Sequence, residues 1–381
     1  MEVKLLGKTS MRGVVVIVLA LLATASSASR FAPIGPSELE VYPSSGVSRI
    51  GMLSDYSPSL ANTPGDTAVF VYDGAEPGGV MLVIGGAHAD EPAGTVAALV
   101  IAENTHMAQG RLIVIPYANA SAFTHNLPQE GHPSYYTLPT PDGERIMKYG
   151  SRLTNPVHQW PDPTVYAESV AQQRLAGGES RNLNRAYPGA DHGSLTARVA
   201  HAITQLITEE GVDVSVDLHE SSPEYPVNNA IVAHERAIDL AAVAAVQLEL
   251  DGVQINIEPS PPALRGLSHR EWGDNTNTMA LLLESPNPAQ GRLRGATNTE
   301  LIVEGIDPMY LKASARGRLY VPYTEQGAPL AMRVGRHVSA VQAIAVAYSM
   351  MAPERGIVIC GLPSYYDLLA NGTGVYLKPS K

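Results

Sequence analysis

Short apolar runs alternate with longer amphipathic stretches along most of the chain, and this alternation predicts the secondary structure. The first strong run is Val80–Ile84, and a second run, Arg111–Pro116, follows one helical segment later. An apolar run without polar alternation is typical of a parallel strand that is covered on both faces. The segment between them predicts a helix over 91–103, because Pro92 and an acidic residue stand in its first turn. Together they form a β-α-β unit.

The same alternation continues through the second half of the chain. The pattern predicts helices over 195–210, 233–250 and 335–351, and strands over 212–218 and 279–283. Alternating strands and helices indicate an α/β fold, with a mixed, mostly parallel sheet flanked by helices on both faces.

Polar, proline-rich stretches between these segments set the predicted domain boundaries. Two long loop insertions are expected inside the α/β domain, at about 120–190 and 286–333. The predicted order is a signal peptide over 1–29, a lead-in over 30–66, the α/β domain over 67–355 and a C-terminal extension over 356–381.

The N-terminus has the pattern of an export signal. Lys4, Lys8 and Arg12 form a basic start, an apolar run follows over 14–23, and small residues occupy 25–29. These are the three parts of a cleavable signal peptide. The apolar run is short for a membrane span, which needs about 20 residues. We therefore predict an exported protein, periplasmic or extracellular, with no stable span after cleavage; an uncleaved anchor is the alternative.

Charge and cysteine content exclude two kinds of site. The formal net charge is −11 over 381 residues, and no basic cluster is present, so nucleic acid is not an expected partner. Cys360 is the single cysteine, which excludes an internal disulfide and a cysteine-ligated zinc ion. Any metal must be held by His, Asp and Glu.

Two histidines and a glutamate stand where predicted strands end. His88 follows the first strand, Glu91 comes three residues later, and His219 follows another strand. Ligands of open α/β sheets bind at the carboxyl ends of the strands. A catalytic zinc ion takes three protein ligands, nitrogen or oxygen, and keeps one position open. The sequence thus predicts one zinc ion per chain on these residues. Taken one at a time, each residue has a structural alternative: His88 as a loop residue, Glu91 as a residue that favours the start of a helix, and His219 as a histidine at a strand end.

Glu284 ends the all-apolar strand predicted over 279–283. A carboxylate at such a place is unfavourable unless it has a partner or a task. A general base that takes a proton from water beside the metal is such a task. A salt bridge at the rim of the sheet is the structural alternative.

A polar cluster within the first loop insertion is a candidate anion site. It contains Arg181, Asn182, Asn184 and Arg185 within five residues, and guanidinium groups bind carboxylates through two parallel hydrogen bonds. The alternative is a solvated surface loop.

These segments, in this order, resemble the zinc carboxypeptidase superfamily, and within it the aspartoacylase and succinylglutamate desuccinylase branch. The matching stretches are Gly85–Glu91, Asn182–Gly189, Val216–His219 and Leu281–Glu284. The resemblance implies zinc on the two histidines and Glu91 named above, with Glu284 as general base and then general acid. It also implies that Asn184 and Arg185 hold a substrate carboxylate.

Three features depart from the family pattern. Asn182 stands where the family commonly has an aspartate that braces a zinc-bound histidine; it can accept a hydrogen bond but carries no charge. The first loop insertion is longer than in small deacylases. The family's late tyrosine has no clear match, and the candidates are Tyr310, Tyr320 and Tyr323. The arginine that polarises the scissile carbonyl also stays open among Arg152, Arg174 and Arg181.

Together, the donor set and the resemblance predict a zinc-dependent hydrolase. The expected substrate is an N-acyl amino acid or a small peptide with a free carboxylate, cleaved at an amide bond. A carboxypeptidase acting on peptides is the alternative within the class. The alternative from another class is a non-catalytic exported binding protein; Asn182 favours it, whereas the presence of Glu284 weighs against it.

We expect the N-terminal segment to be removed on export. When the full chain is expressed in a bacterium, mass spectrometry of the exported fraction should give a mature N-terminus near residue 30. An intact N-terminus in the membrane fraction would favour the uncleaved anchor instead.

Overall fold

The computed structural model describes residues 11–31, 39–127 and 131–380. The chain divides into two compact units, Met1–Gly35 and Pro36–Lys381. The first unit contains helix α1, Met11–Phe31. Across the described residues, none of the helices has both the length and the apolar content that crossing a bilayer requires. Lys4 and Lys8, the basic start of the predicted signal peptide, lie outside the described residues.

The second unit contains the remaining helices and all the described strands. Its helices are α2 (Pro92–Asn104), α3 (Leu195–Glu209), α4 (Ile238–Leu250), α5 (Ser268–Asn275), α6 (Thr299–Glu304), α7 (Pro308–Ser314), α8 (Leu330–Met351) and α9 (Tyr365–Asn371). Its strands are β1 (Arg49–Met52), β2 (Ala68–Asp73), β3 (Glu76–Ile84), β4 (His106–Ile115), β5 (Tyr135–Thr140), β6 (Gly143–Lys148), β7 (Val165–Ala167), β8 (Arg174–Ala176), β9 (Val214–Ser221), β10 (Ala230–Ala233), β11 (Asn256–Pro259), β12 (Met279–Pro286) and β13 (Val358–Cys360).

One mixed sheet organises this unit. Its strands lie in the order β1-β2-β4-β3-β9-β12-β10-β11, and β13 pairs with β4. The four central strands, β4, β3, β9 and β12, are parallel to one another. The antiparallel pairs lie around them, at β1-β2, β2-β4, β13-β4 and β10-β12. The predicted α/β class, with a parallel centre, is confirmed.

Helices cover both faces of the sheet. Alternate side chains of a strand point to opposite faces, so Met81 and Val83 of β3 join the core that contains α2, α4 and α8. Leu82 and Ile84 join the core that contains α3. Burial on both faces explains why β3 is apolar at consecutive positions.

Several elements differ from their predicted bounds. The helix predicted over 233–250 begins at Ile238, because residue 233 ends β10, which pairs with β12, and Glu235–Ala237 form a separate 3-10 turn. β9 and β12 reach Ser221 and Pro286, so His219 and Glu284 lie within strands rather than after them. The last predicted helix begins earlier, at Leu330.

The segments outside the predicted α/β domain also contribute to the sheet. β1 comes from the lead-in, and β13 comes from the C-terminal extension. The two predicted loop insertions contain short regular elements: hairpins β5-β6 and β7-β8 in the first, and α6, α7 and the start of α8 in the second.

Two glycines allow β3, α2 and β9 to approach closely. A Cβ at Gly94 would lie 2.3 Å from the Leu218 carbonyl oxygen, and a Cβ at Gly85 would lie 2.5 Å from the Gly94 carbonyl oxygen. Backbone oxygen cannot move away as a flexible side chain can. The approach therefore requires glycine, and it brings together the elements that lead into His88, Glu91 and His219.

We expect Gly94→Ala to destabilise the fold by roughly 1–3 kcal/mol, the usual range for overpacking a well-packed core. Alanine is the better helix former by about 1 kcal/mol, but the clash with a backbone carbonyl outweighs that gain. Urea unfolding measures the difference. Gly178→Ala is the control, because a Cβ there meets no atom closer than 3.7 Å; equal stability of both variants would contradict the close packing.

Candidate active site

A buried glutamate joins the two candidate histidine ligands. Glu91 Oε1 lies 2.7 Å from His88 Nδ1, and Glu91 Oε2 lies 2.9 Å from His219 Nδ1. Each residue offers one ligand atom, and these atoms lie within 4.8 Å of one another. All three side chains are buried. The structure thus brings together the three residues that the sequence predicts as metal ligands.

The local chain explains how Glu91 reaches both histidines. It stands immediately before α2, with Pro92 as the first helical residue, and its side chain makes no capping bond to the helix. β3 and β9 are parallel neighbours, so their carboxyl ends lie at one edge of the sheet, which is the usual place for a site in such folds. The Glu220 backbone N–H, 3.0 Å from Glu91 Oε2, also donates to the carboxylate.

The outer nitrogens of both imidazoles face oxygen atoms. His88 Nε2 lies 2.8 Å from Asn182 Oδ1, and His219 Nε2 lies 2.9 Å from Asp217 Oδ2. The Ser268 hydroxyl donates to the same Asp217 oxygen at 2.5 Å. In metal sites, such partners hold the proton on the outer nitrogen and leave the inner nitrogen free to bind the ion. Both Nδ1 atoms face Glu91, as a shared ion requires.

Burial and neighbouring charges set the protonation of the group. Burial, and then the charge of Arg152, lower the pKa of His88 to about 4. Burial also disfavours charge on His219, but Asp217 and Glu91 raise its pKa well above the usual range. Burial alone would raise the pKa of Glu91, yet the two histidines hold it well below its usual range. Glu91 is therefore a carboxylate, and His88 is a neutral imidazole.

Glu284 approaches this group from β12. It is paired in register with His219, and neighbouring strands lie about 4.8 Å apart. Its Oε2 atom is buried and has no hydrogen-bond partner among the described residues. Burial, and then the charge of Glu91, raise the pKa of Glu284 to about 8. A divalent cation nearby would lower that pKa again, because it adds the largest local positive charge.

The donor set fits zinc. Two imidazole nitrogens and one carboxylate form the ligand composition of known catalytic zinc sites, and the buried Oε2 atom of Glu284, which has no partner among the described residues, leaves an acceptor available next to them. A second group, His234, Glu235 and Asp274, also has metal-ligand spacing. There the Arg270 guanidinium contacts the His234 and Asp274 side chains, so a fixed cation already balances that group.

Among the three candidate arginines, Arg152 contacts one of the candidate metal ligands, Glu91. Its Nη1 atom lies 3.0 Å from Glu91 Oε1. Arg181 instead donates to both carboxylate oxygens of Asp162, at 2.7 and 2.9 Å, and to the Thr154 carbonyl at 2.7 Å. These three bonds fix Arg181 as a structural residue of the loop. Arg174 is exposed on β8.

The predicted anion-binding pair is divided between two roles. Asn184 Oδ1 accepts the Ser268 backbone N–H at 2.8 Å, so this oxygen holds α5 in place. Arg185 is only partly buried, and its Nε lies 3.8 Å from Glu179 Oε2. Burial, and then the charge of Arg152, lower the pKa of Arg185. The two guanidinium groups therefore lie close enough to repel, and an anion beside them would relieve that repulsion.

Two of the three candidate tyrosines have structural partners. The Tyr310 hydroxyl donates to the Gln290 carbonyl at 2.6 Å, and the Tyr323 hydroxyl donates to the Gly305 carbonyl at 2.5 Å. Tyr320 is 68% exposed. Only Tyr320 among them has an exposed side chain.

The sequence interpretation missed two residues that support the site. Asp217 precedes His219 by two positions, and side chains two apart on a strand share one face, so the periodicity of β9 could have identified it. Ser268 reaches Asp217 from α5, 51 residues further along the chain, and no local pattern indicates that contact.

We expect His219→Ala to lower the zinc content sharply, because it removes one of three ligand atoms. Inductively coupled plasma mass spectrometry of dialysed protein measures the content. His192→Ala is the matched control, since the His192 side chain is 96% exposed. Unchanged zinc in His219→Ala would place the ion elsewhere.

Comparison with known proteins identifies solved structures of the branch that the motifs resemble. No family model matches the chain, and no curated protein matches it in sequence. A succinylglutamate desuccinylase/aspartoacylase from Rhodobacter sphaeroides is 20% identical, with a TM-score of 0.35, over 57% of this chain and 51% of that chain. An aspartoacylase family protein from Mesorhizobium loti is 20% identical, with a TM-score of 0.32, over 58% of this chain and 56% of that chain.

A third solved structure is similar over more of the chain. The product-bound Cell Shape Determinant protein Csd4 from Helicobacter pylori is 12% identical, with a TM-score of 0.44, over 79% of this chain and 58% of that chain. The chain thus spans between half and three-fifths of the length of these solved proteins.

Proposed function

We propose that this chain is a zinc-dependent hydrolase that cleaves an amide bond in an N-acyl amino acid or a small peptide with a free carboxylate. The observation that carries the proposal is the convergence of His88, Glu91 and His219 on one point, with Glu284 beside them, whose Oε2 atom has no hydrogen-bond partner among the described residues. Two imidazoles and a carboxylate supply a metal site, and the second glutamate supplies a group for proton transfer.

Zinc, when bound, polarises a carbonyl oxygen and lowers the pKa of water towards 7. Glu284 then has the role of a general base: its Oε2 atom takes a proton from the attacking water, holds it, and delivers it to the leaving amine nitrogen. A base fixed in a sheet strand, next to His219 in register, keeps a constant position through both proton transfers.

Arg152 and Arg185 of the first loop insertion each bind a different negative charge of the substrate. Arg152 lies beside Glu91, so its guanidinium is suited to the carbonyl oxygen as negative charge develops on it. Arg185 has only a loose partner, Glu179 at 3.8 Å, and is repelled by Arg152, so it is suited to the fixed carboxylate of the substrate. This division favours a substrate with a carboxylate near the scissile amide.

The carboxypeptidase alternative uses the same residues and differs only in the group on the acyl side. If residues 1–29 direct export, as their pattern predicts, peptides outside the cytoplasm become the more accessible substrates. The non-catalytic alternative is less well supported, because a binding site alone gives no reason for a buried carboxyl oxygen at position 284 that has no partner among the described residues.

The test is a hydrolysis panel on zinc-loaded protein, with N-acyl amino acids and short peptides, each compared with its amidated form that lacks the free carboxylate. We expect turnover of at least one carboxylate-bearing class. Glu284→Gln should abolish it while the zinc content stays near one ion per chain.

Glu249→Gln is the control, since that glutamate is exposed on α4 and should leave turnover unchanged. Absence of turnover with zinc fully loaded would favour the binding protein. Loss of zinc in Glu284→Gln would make Glu284 a ligand and contradict its assigned role.

A further inference from the structure

We propose that Glu179 is a positioning residue for the metal centre and acts on His88 through the side-chain amide of Asn182. The inference rests on the proposed zinc site. It concerns the position at which the chain departs from the family pattern, where a neutral amide replaces a carboxylate.

The amide of Asn182 is held at three points. Its Oδ1 lies 2.8 Å from His88 Nε2 and also accepts the Asn184 backbone N–H at 3.0 Å. Its Nδ2 donates to Glu179 Oε2 at 2.8 Å. Asn182 is fully buried, so water does not compete for these bonds.

These contacts permit only one orientation of the amide. If its oxygen and nitrogen were exchanged, two donors would meet at Asn184 N–H, and the amide oxygen would face the acceptor-only carboxylate of Glu179. Both contacts would be repulsive. Glu179 and the Asn184 backbone therefore direct the acceptor oxygen of Asn182 towards His88.

The orientation of the amide determines the tautomer of His88. An acceptor at Nε2 requires the proton on that nitrogen, which leaves the lone pair of Nδ1 facing Glu91 and the proposed ion. A rotated amide would present N–H groups to Nε2 and favour the opposite tautomer, in which Nδ1 carries the proton and cannot bind a metal.

Glu179 also supplies charge through the amide. A hydrogen bond to a carboxylate is about twice as strong as a neutral one and polarises the next bond in a chain. The negative charge of Glu179 thus acts on His88 through the Asn182 amide, whereas an aspartate at position 182 would contact His88 directly. The local fold provides the spacing, because Glu179 belongs to the helical turn Gly177–Arg181 and its carbonyl accepts the Asn182 backbone N–H at 3.1 Å.

A charge-relocation experiment tests the inference. Glu179→Gln removes the charge, and Asn182→Asp places two carboxylates in contact. The double variant Glu179→Gln/Asn182→Asp restores one charge and one amide with their positions exchanged. Each single variant should bind zinc more weakly, by the 10- to 100-fold typical of a lost partner behind a metal ligand. The double variant should bind more tightly than either single variant.

Zinc affinity is measured by competition with a chromogenic chelator, on metal-stripped protein, with Glu144→Gln as the exposed control. Thermal unfolding of each metal-free variant identifies any that fails to fold. Glu179→Ala, which has neither charge nor amide, gives a second measurement of the same loss.

Two results would overturn the inference: wild-type zinc affinity in Glu179→Gln, or a double variant no better than Asn182→Asp. Wild-type zinc affinity in Glu179→Gln, together with a raised KM for carboxylate substrates, would mean that Glu179 positions Arg185 and not Asn182. The Arg185 Nε atom lies 3.8 Å from Glu179 Oε2. The measurement of zinc affinity does not depend on turnover. A wild-type protein that binds zinc but hydrolyses no substrate would contradict the proposed function, and the zinc affinities of the variants would still test this inference.

Discussion

The buried charge of Glu91 is the constraint on which the site depends. A carboxylate at this depth is strongly unfavourable unless its oxygens are compensated. Here His88, His219, Arg152 and the Glu220 backbone N–H all face it. These groups come from three distant parts of the chain, so satisfying one charge requires that all of them be correctly folded. The close approach permitted by Gly94 is what allows this.

The site combines a rigid part with a part built from loops. The candidate metal ligands and Glu284 lie on or next to strands of the central sheet, whereas Arg152 and Arg185 come from the first loop insertion. Loops change more readily than the strands they connect. The proposed metal ligands and the proposed base thus belong to the sheet, whereas the groups proposed to bind the charges of the substrate belong to the loop insertion.

Much of the fold followed from local pattern, and the differences have non-local causes. The strands Val80–Ile84 and 279–283 were recognisable because burial on both faces leaves only apolar residues. β10 was not predicted, and its last residue was placed in the helix expected over 233–250, because a four-residue apolar segment suits either state and pairing with β12 decides between them. Contacts between distant residues of this kind cannot be read from a window of sequence.

The same distinction applies to the site. His88, Glu91 and His219 were predictable because parallel strands deliver their ends to one edge of the sheet. Arg181 was expected to bind substrate, but its bonds to Asp162 and Thr154 assign it to the loop; the motif showed the residue and not its partners. Finally, β12 is held on one side by β9 and on the other by β10, with Glu284 opposite both His219 and Ala230. A shift of β12 by a single residue would turn that carboxyl to the reverse face of the sheet. The register of β12 therefore either keeps Glu284 on the same face as His219 or removes it from that face, and gradual change in the surrounding sequence cannot produce an intermediate arrangement.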